Sequence, residues 1–221
     1  MLPLQIGEIA LACKGEAHGE AQVTSVCIDS RKISQGCLFI AIKGDRFDGH
    51  DFVEKAFEEG AAAVMVHRDI HCRGPYVRVA NTREALLRLA GYYRQFFQIP
   101  VVGLTGSVGK TTTKEMTAAV LSKRYKTLKN EGNLNNEIGM PMTAFGLDLS
   151  YGAAVFEMGM SGFGEIARMA RAAAPTVGII TNIGVSHMEQ LGSRENIRKA
   201  KLELLDGMDE YCLLYTSPSP R

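Results

Sequence analysis

VVGLTGSVGKTT, residues 101–112, is the stretch whose reading decides the fold. An apolar run of strand length enters a glycine-rich turn, and the turn opens a helix predicted from Lys110 to about Lys123. Strand, loop and helix in that order begin a parallel α/β sheet. Glycines let the backbone curl so that several N–H groups converge on one anion. The helix start adds its positive end. In this reading Thr105, Gly106, Ser107, Gly109 and Thr112 belong to a phosphate cradle. Lys110 reaches the β- and γ-phosphates of ATP, and the Thr111 hydroxyl ligates Mg²⁺. The strict motif has glycine where this chain has Leu104, and Gly103 falls one residue early.

Downstream the strand–helix rhythm continues. AAVFEMG at 153–159 reads as a strand, with a helix near 164–173. TVGIITNIG at 176–184 is the next strand, with a helix over about 193–205. This alternation implies a parallel sheet covered on both faces. Such sheets bind ligands at the carboxyl ends of their strands. Glu157 ends one strand and is a candidate to hold the nucleotide's metal, against the alternative of an exposed strand-end acid. His187 follows the next strand and is a second metal candidate; a loop or core histidine is the alternative. Asn130, Asn133, Asn135 and Asn136 crowd the loop KNEGNLNNEIGMP. Asparagine favours turns, and amides beside a phosphate loop also orient a polar substrate; both readings fit.

Upstream lies a smaller α/β unit. VTSVCI (23–28), CLFIAI (37–42), AAAVMV (61–66) and YVRVA (76–80) read as strands, and HDFVEKAFEEG (50–60) as a helix ending on glycine. A helix follows over about 82–97, with Leu86, Leu89, Ala90 and Tyr93 on one face. Ile99-Pro100 ends it. The segment MLPLQIGEIALAC lacks a basic start and is interrupted by Glu8, so it reads as a structural helix and not a signal peptide. His67, His71 and Cys72 have metal-like spacing without a helical pattern, so no metal is expected there.

Composition bounds the rest. The 221 residues are 46% hydrophobic and 22% charged, with net charge +1. Collagen-like, coiled-coil and disordered readings are excluded, and no global basic field invites nucleic acid. No apolar run approaches the roughly 18 residues of a membrane span. Five cysteines, an odd number without a C-x-x-C pair, read as reduced thiols of a cytoplasmic protein. Nothing demands more than a monomer.

Together these residues resemble the Mur ligases, ATP-dependent amide-forming enzymes of peptidoglycan precursor synthesis. The resemblance covers about residues 20–208. Beside the phosphate loop it is carried by IDSRKISQGCLFIAIKGDRFDGHDF at 28–52, GNLNNEIGMP at 132–141 and FEMGMSGFGEIA at 156–167. It implies a small N-terminal α/β domain over 1–82 for the UDP-sugar end of the substrate. A connecting helix over 83–98 and a partial P-loop-type ATP-binding domain over 99–210 follow. Ser30 and Arg31, beside Asp29, are implied contacts to the nucleotide sugar. Asn135 and Asn136 are implied in substrate binding, and Asn182 in ATP binding. Glu157 and His187 are implied metal ligands. Lys201, which otherwise reads as a solvated helix lysine, matches a lysine that the family carbamylates; its carbamate would face a second Mg²⁺. Lys110, His187 and Lys201 form the implied catalytic set.

The implied reaction joins UDP-N-acetylmuramoyl-tripeptide to D-alanyl-D-alanine. ATP phosphorylates the terminal carboxylate of the peptide, and the incoming amine attacks the acyl phosphate. A diaminoacid-adding relative is the alternative within the family, and the NLNNEIGMP loop argues against it. Outside the family the alternatives are a non-catalytic nucleotide-binding module and a P-loop kinase. Family members continue into the rest of the central domain and a third domain, so this chain is expected to be an inactive fragment. YCLLYTSPSPR at 211–221 has no family counterpart and is expected to be a non-native tail, leaving a sheet edge unpaired.

Overall fold

The computed structural model describes residues 1–70, 72 and 74–216. The chain folds as two units, the first spanning Met1–Leu89 and the second beginning at Ala90.

In the first unit, β1 (Leu4–Gln5) leads into α1 (Ile6–Cys13), and β2 (Glu16–His18), β3 (Gln22–Val23), β4 (Ser25–Cys27) and β5 (Cys37–Ile40) follow. A 3₁₀ turn over Gly49–Phe52 runs into α2 (Val53–Glu58), then β6 (Ala63–Val66), β7 (Tyr76–Arg78) and α3 (Thr82–Arg94). The main sheet has the order β2-β7-β6-β5-β4. Strands β4 to β7 pair in parallel, and β2 is an antiparallel edge. Side chains alternate across a strand. Cys37, Phe39, Val64 and Val66 therefore share one face, which packs with Val53 and Ala56 of α2. The N-terminal segment is a helix only from Ile6; Leu4 and Gln5 pair with β3. Asn81 starts α3, accepting the N–H groups of Arg83 and Glu84. Leu86, Leu89, Ala90 and Tyr93 are all fully buried, and the break between units falls among them. His67 Nδ1 lies 3.2 Å from Thr82 Oγ1, and His71 lies outside the described residues.

The second unit runs β8 (Val101–Thr105), α4 (Lys110–Leu121), β9 (Thr127–Lys129), α5 (Gly139–Ala144), β10 (Ala153–Glu157) and α6 (Glu165–Ala173). It continues with β11 (Val177–Ile180), α7 (Met188–Leu191), α8 (Arg194–Leu202), a 3₁₀ turn over Glu203–Gly207, and β12 (Leu213–Thr216). The sheet order is β12-β11-β8-β10-β9, every pair parallel. Strands β8 and β10 are buried along their whole length, as parallel strands covered on both faces must be. Leu104 pairs with Glu157 and Ile179 and packs with Val102, Val155 and Ala118. Residue 104 is thus still core strand, and the loop begins after it. This is why a leucine replaces the motif's first glycine.

The chain leaves β8 for one side of the sheet and returns to β8 on the other with β11. That places a topological switch point at the carboxyl end of β8, where open α/β sheets bind ligands. The edge of β11 carries β12 in register from Val177–Leu213 to Ile180–Thr216, and β12 is in turn the edge strand of the sheet. Residues 211–216 therefore do not stand apart from the domain. Leu213–Thr216 is an apolar, strand-forming run, and it satisfies the hydrogen bonds of β11, although its own side chains are exposed. The Ser-Pro repeat at 217–220 lies outside the described residues.

Two measurements check this packing. A Cβ on Gly207 would stand 2.1 Å from the Ala170 carbonyl of α6, so Gly207→Ala should cost about 1–3 kcal/mol, read as a lowered urea midpoint. An unchanged midpoint would mean that the turn does not seat on α6. Burial pushes the Cys13 thiol up to about 12, and Cys27 and Cys37 are buried too. A thiol reagent at mildly alkaline pH should label Cys72 and Cys212 in the native chain. It should reach the other three cysteines only after unfolding.

Candidate active site

Three strand ends converge on the phosphate loop. At the end of β8 Gly106 has no room for a side chain: a Cβ there would lie 1.8 Å from Thr181 Oγ1. The segment after β11 clasps the loop from that side. Thr181 Oγ1 donates to the Val108 carbonyl (2.7 Å), and Gly184 N–H donates to Ser107 Oγ (2.9 Å). Asn182 Oδ1 accepts both the Ser107 and the Val108 N–H at 3.0 Å. The side chain of Asn182 thus addresses the loop's own amides. Thr105 is buried, and its hydroxyl has no partner among the described residues. Lys110 folds back to donate to the Gly106 carbonyl at 2.9 Å.

Helix α4 opens on Gly109 in the left-handed region (φ 79°), and no side chain caps it. The first N–H groups of a helix have no intrahelical partner. Here they point into the loop with the macrodipole behind them. Thr112 sits exposed in this first turn.

On the other side of the loop stands Glu157, the last residue of β10 and 1% exposed. Its Oε2 accepts from Thr111 Oγ1 at 3.0 Å and its Oε1 from Asn135 Nδ2 at 2.8 Å. Asn130 follows β9 and continues that strand's ladder with its side chain. Its Oδ1 accepts the Glu157 N–H (2.9 Å), and its Nδ2 donates to the Glu157 carbonyl (3.0 Å) and to Leu134 (2.8 Å). Gly159 lets Asn135 come close, since a Cβ there would stand 3.2 Å from the amide. Asn136 Oδ1 accepts the Ile138 and Gly139 N–H groups at the start of α5. The asparagine cluster therefore has divided duties: Asn130 holds the Glu157 backbone, Asn135 its carboxylate, and Asn136 starts a helix.

A cavity of about 300 Å³ opens beside the loop. Lys110, Lys201, His187, Asn135, Asn136, Ser161 and Glu165 are among its lining residues. Lys201 on α8 is only 1% exposed, so it is not a solvated helix lysine. Burial, and after it the nearby Lys110 charge, pull its ammonium down to about 8. His187 starts α7 in the left-handed region (φ 65°), a conformation costly for a non-glycine residue and frequent at functional sites. The Glu165 carboxylate accepts the Ser161 and Gly162 N–H groups.

The expected residues therefore fall into groups. Thr111 and Glu157 are bonded to each other. Lys110, His187, Lys201, Asn135 and Asn136 share the cavity. Ser30 and Arg31 belong to the first unit, where the Arg31 guanidinium grips Asp29 at 2.9 and 2.8 Å. That hydrogen-bonded pair holds the Asp29 carboxyl well below the usual carboxylate range. Sequence reading did not single out Asn130 and missed Lys114 altogether. Asn130 was one of four equivalent asparagines, and only its place after β9 sets it apart. Lys114 is fully buried 3.7 Å from Glu157 Oε2; its spacing three residues after Thr111, on the same helix face, was the available signal.

Comparison with known proteins bears on this geometry. A model of the Mur ligase middle domain matches residues 104–217, and one of the Mur ligase family catalytic domain matches residues 22–94. The UDP-N-acetylmuramoyl-tripeptide–D-alanyl-D-alanine ligase of Bacillus subtilis (strain 168) is 44% identical over 228 residues, covering 100% of this chain and 50% of that protein. A crystal structure of MurF from Acinetobacter baumannii superposes with a TM-score of 0.91 at 36% identity, covering 97% of this chain and 48% of that one. MurF ligase from Thermotoga maritima, solved in complex with ADP, gives a TM-score of 0.83 at 34% identity over 88% of this chain and 45% of that one. The chain spans about half the length of the curated relatives it matches. The matches to each of its units establish that this chain belongs to the Mur ligase family.

Proposed function

We propose that this chain is the nucleotide-binding part of a cytoplasmic ATP-dependent ligase that joins D-alanyl-D-alanine to UDP-N-acetylmuramoyl-tripeptide. The observation that carries the reading is the uncapped start of α4 beneath the loop, with Thr111 bonded to Glu157 beside it. The names of the relatives at 44% and 41% identity give D-alanyl-D-alanine as the component joined, which favours it over a diaminoacid. The complete ligation is that of proteins of the relatives' full length, of which this chain spans about half, and the chain alone should not turn over.

The residues present fit ATP and Mg²⁺. The free N–H groups of α4 and the Lys110 ammonium suit a polyphosphate. The Thr111 hydroxyl and the buried Glu157 carboxylate form a hard oxygen donor pair that suits Mg²⁺. His187 and Lys201, on the cavity side, would serve a second ion, Lys201 as its carbamate. Bound Mg²⁺ would neutralise charge on the phosphates as the γ-phosphoryl leaves. The protein's own part is positional. Asn182 and Thr181 hold the loop's shape, Asn130 and Asn135 aim the carboxylate, and Lys110 swings from the Gly106 carbonyl to a phosphate oxygen. Asn136 presents the rest of its amide to the cavity, toward the peptide substrate. Ser30 and Arg31 contact the nucleotide sugar in the first unit. Phosphorylation turns a poor electrophile, the peptide carboxylate, into an acyl phosphate that the dipeptide amine attacks.

Titration calorimetry of the chain with ATP and Mg²⁺ tests the nucleotide part. Binding is expected, and Lys110→Ala should weaken it at least roughly tenfold through loss of a charge-assisted contact. Equal binding by the variant would overturn the assignment of the loop. ATP-dependent phosphate release by the chain alone would overturn its inactivity.

The Lys201 ammonium near 8 leaves part of the group as free amine at neutral pH, the form that adds CO₂ and releases a proton. Carbon-13 NMR with labelled bicarbonate should show a protein carbamate that grows from pH 6 to pH 8 and vanishes in Lys201→Arg. A signal that survives the substitution would place the carbamate elsewhere.

A further inference from the structure

Lys114 lies one turn into α4 with its side chain fully buried. Its ammonium stands 3.4 Å from Glu115 Oε1 and 3.7 Å from Glu157 Oε2. It makes no hydrogen bond among the described residues. An ammonium carries three donors, and burying it unbonded is costly. A settled ion pair closes to about 2.7–2.9 Å. Lys114 has closed on neither acid.

The surroundings differ on its two sides. Both oxygens of Glu157 accept neutral donors, Thr111 and Asn135. At 3.7 Å Lys114 gives that buried carboxylate charge and not a bond. Glu115 is half-exposed and also pairs with Lys129, so it is the acid that water can best support alone. The two acids place a wet partner and a dry partner within reach of one cation.

We propose that Lys114 is a charge-exchanging positioning residue: its ammonium compensates Glu157 when that carboxylate holds no metal, and moves onto Glu115 when a metal–nucleotide binds. The inference rests on the nucleotide reading above. A triphosphate at the start of α4 brings negative charge toward Glu157. Without a metal, Lys114, 3.7 Å from Glu157 Oε2, offsets that repulsion. With a divalent cation on Thr111 and Glu157, the lysine becomes a like charge beside it, and Glu115 takes it up.

The test is ATP affinity by calorimetry, with Mg²⁺ and with a chelator, for the chain, Lys114→Met and Glu115→Gln. In Lys114→Met the chelator affinity should fall roughly tenfold while the Mg²⁺ affinity stays within about twofold, as expected for one missing charge at short range. A merely structural lysine would weaken both alike, and that result, or no change in either, overturns the proposal. Glu115→Gln changes an exposed side chain and is the arm that stands if Lys114→Met does not fold. It should leave chelator affinity unchanged and shrink the gain from Mg²⁺ several-fold, because the ammonium has lost its second station. An undiminished gain rules out the exchange. If the unaltered chain binds no ATP under either condition, the nucleotide reading falls and this inference falls with it.

Discussion

The structure around the phosphate loop is organised by one costly act, the removal of the Glu157 carboxylate from water. A buried carboxylate must be hydrogen-bonded and charge-compensated. Four segments meet these needs. Helix α4 brings Thr111 and Lys114, the end of β9 brings Asn130, the following loop brings Asn135, and β10 holds the backbone. Only a strand order that sets β10 between β8 and β9 lets all four meet. The asparagine-rich loop is thus part of the support of the carboxylate as much as a wall of the cavity.

The opposite side of the phosphate loop obeys a different constraint. There the segment after β11 pins the loop through Thr181, Asn182 and Gly184. Asn182 consumes the Ser107 and Val108 amides, and Ser107 was read from the sequence as part of the phosphate cradle. What remains for an anion is the helix start and Lys110. Spending two amides on shape fixes the direction of the others, and a preorganised donor set does not have to be ordered when the ligand arrives.

Much of this was legible in the residues. The phosphate loop announced a strand, a turn and a helix, and Leu86, Leu89, Ala90 and Tyr93 marked the buried face of α3. Glu157 and His187 could be singled out because strand ends in a parallel sheet face the ligand. Short elements such as β9, α5 and α7 were not legible, because three to six residues carry too little periodicity. The burial of Lys201 and Lys114 was not legible either. A lysine on a helix reads as solvated unless the neighbours that cover it are known, and those neighbours come from distant strands. The strand at Leu213–Thr216 was not legible for a related reason. Its pairing depends on an open edge of β11, which local sequence does not display.

The cavity also holds an electrostatic tension that the proposed carbamate resolves. Lys110 and Lys201 both line it, and the Lys110 charge helps to pull the Lys201 ammonium down. Glu165 also lines the cavity, its carboxylate held in place by the Ser161 and Gly162 amides. Two ammonium groups in one small cavity repel each other, and the pair would draw anions while turning metal ions away. Carbamylation of Lys201 reverses the sign of one partner. The repulsion from Lys110 becomes attraction, and the cavity gains oxygens that a hard cation prefers. The burial that makes Lys201 a poor cation is the same burial that makes it available as an amine, so in this reading the ligand is prepared by the packing of α8.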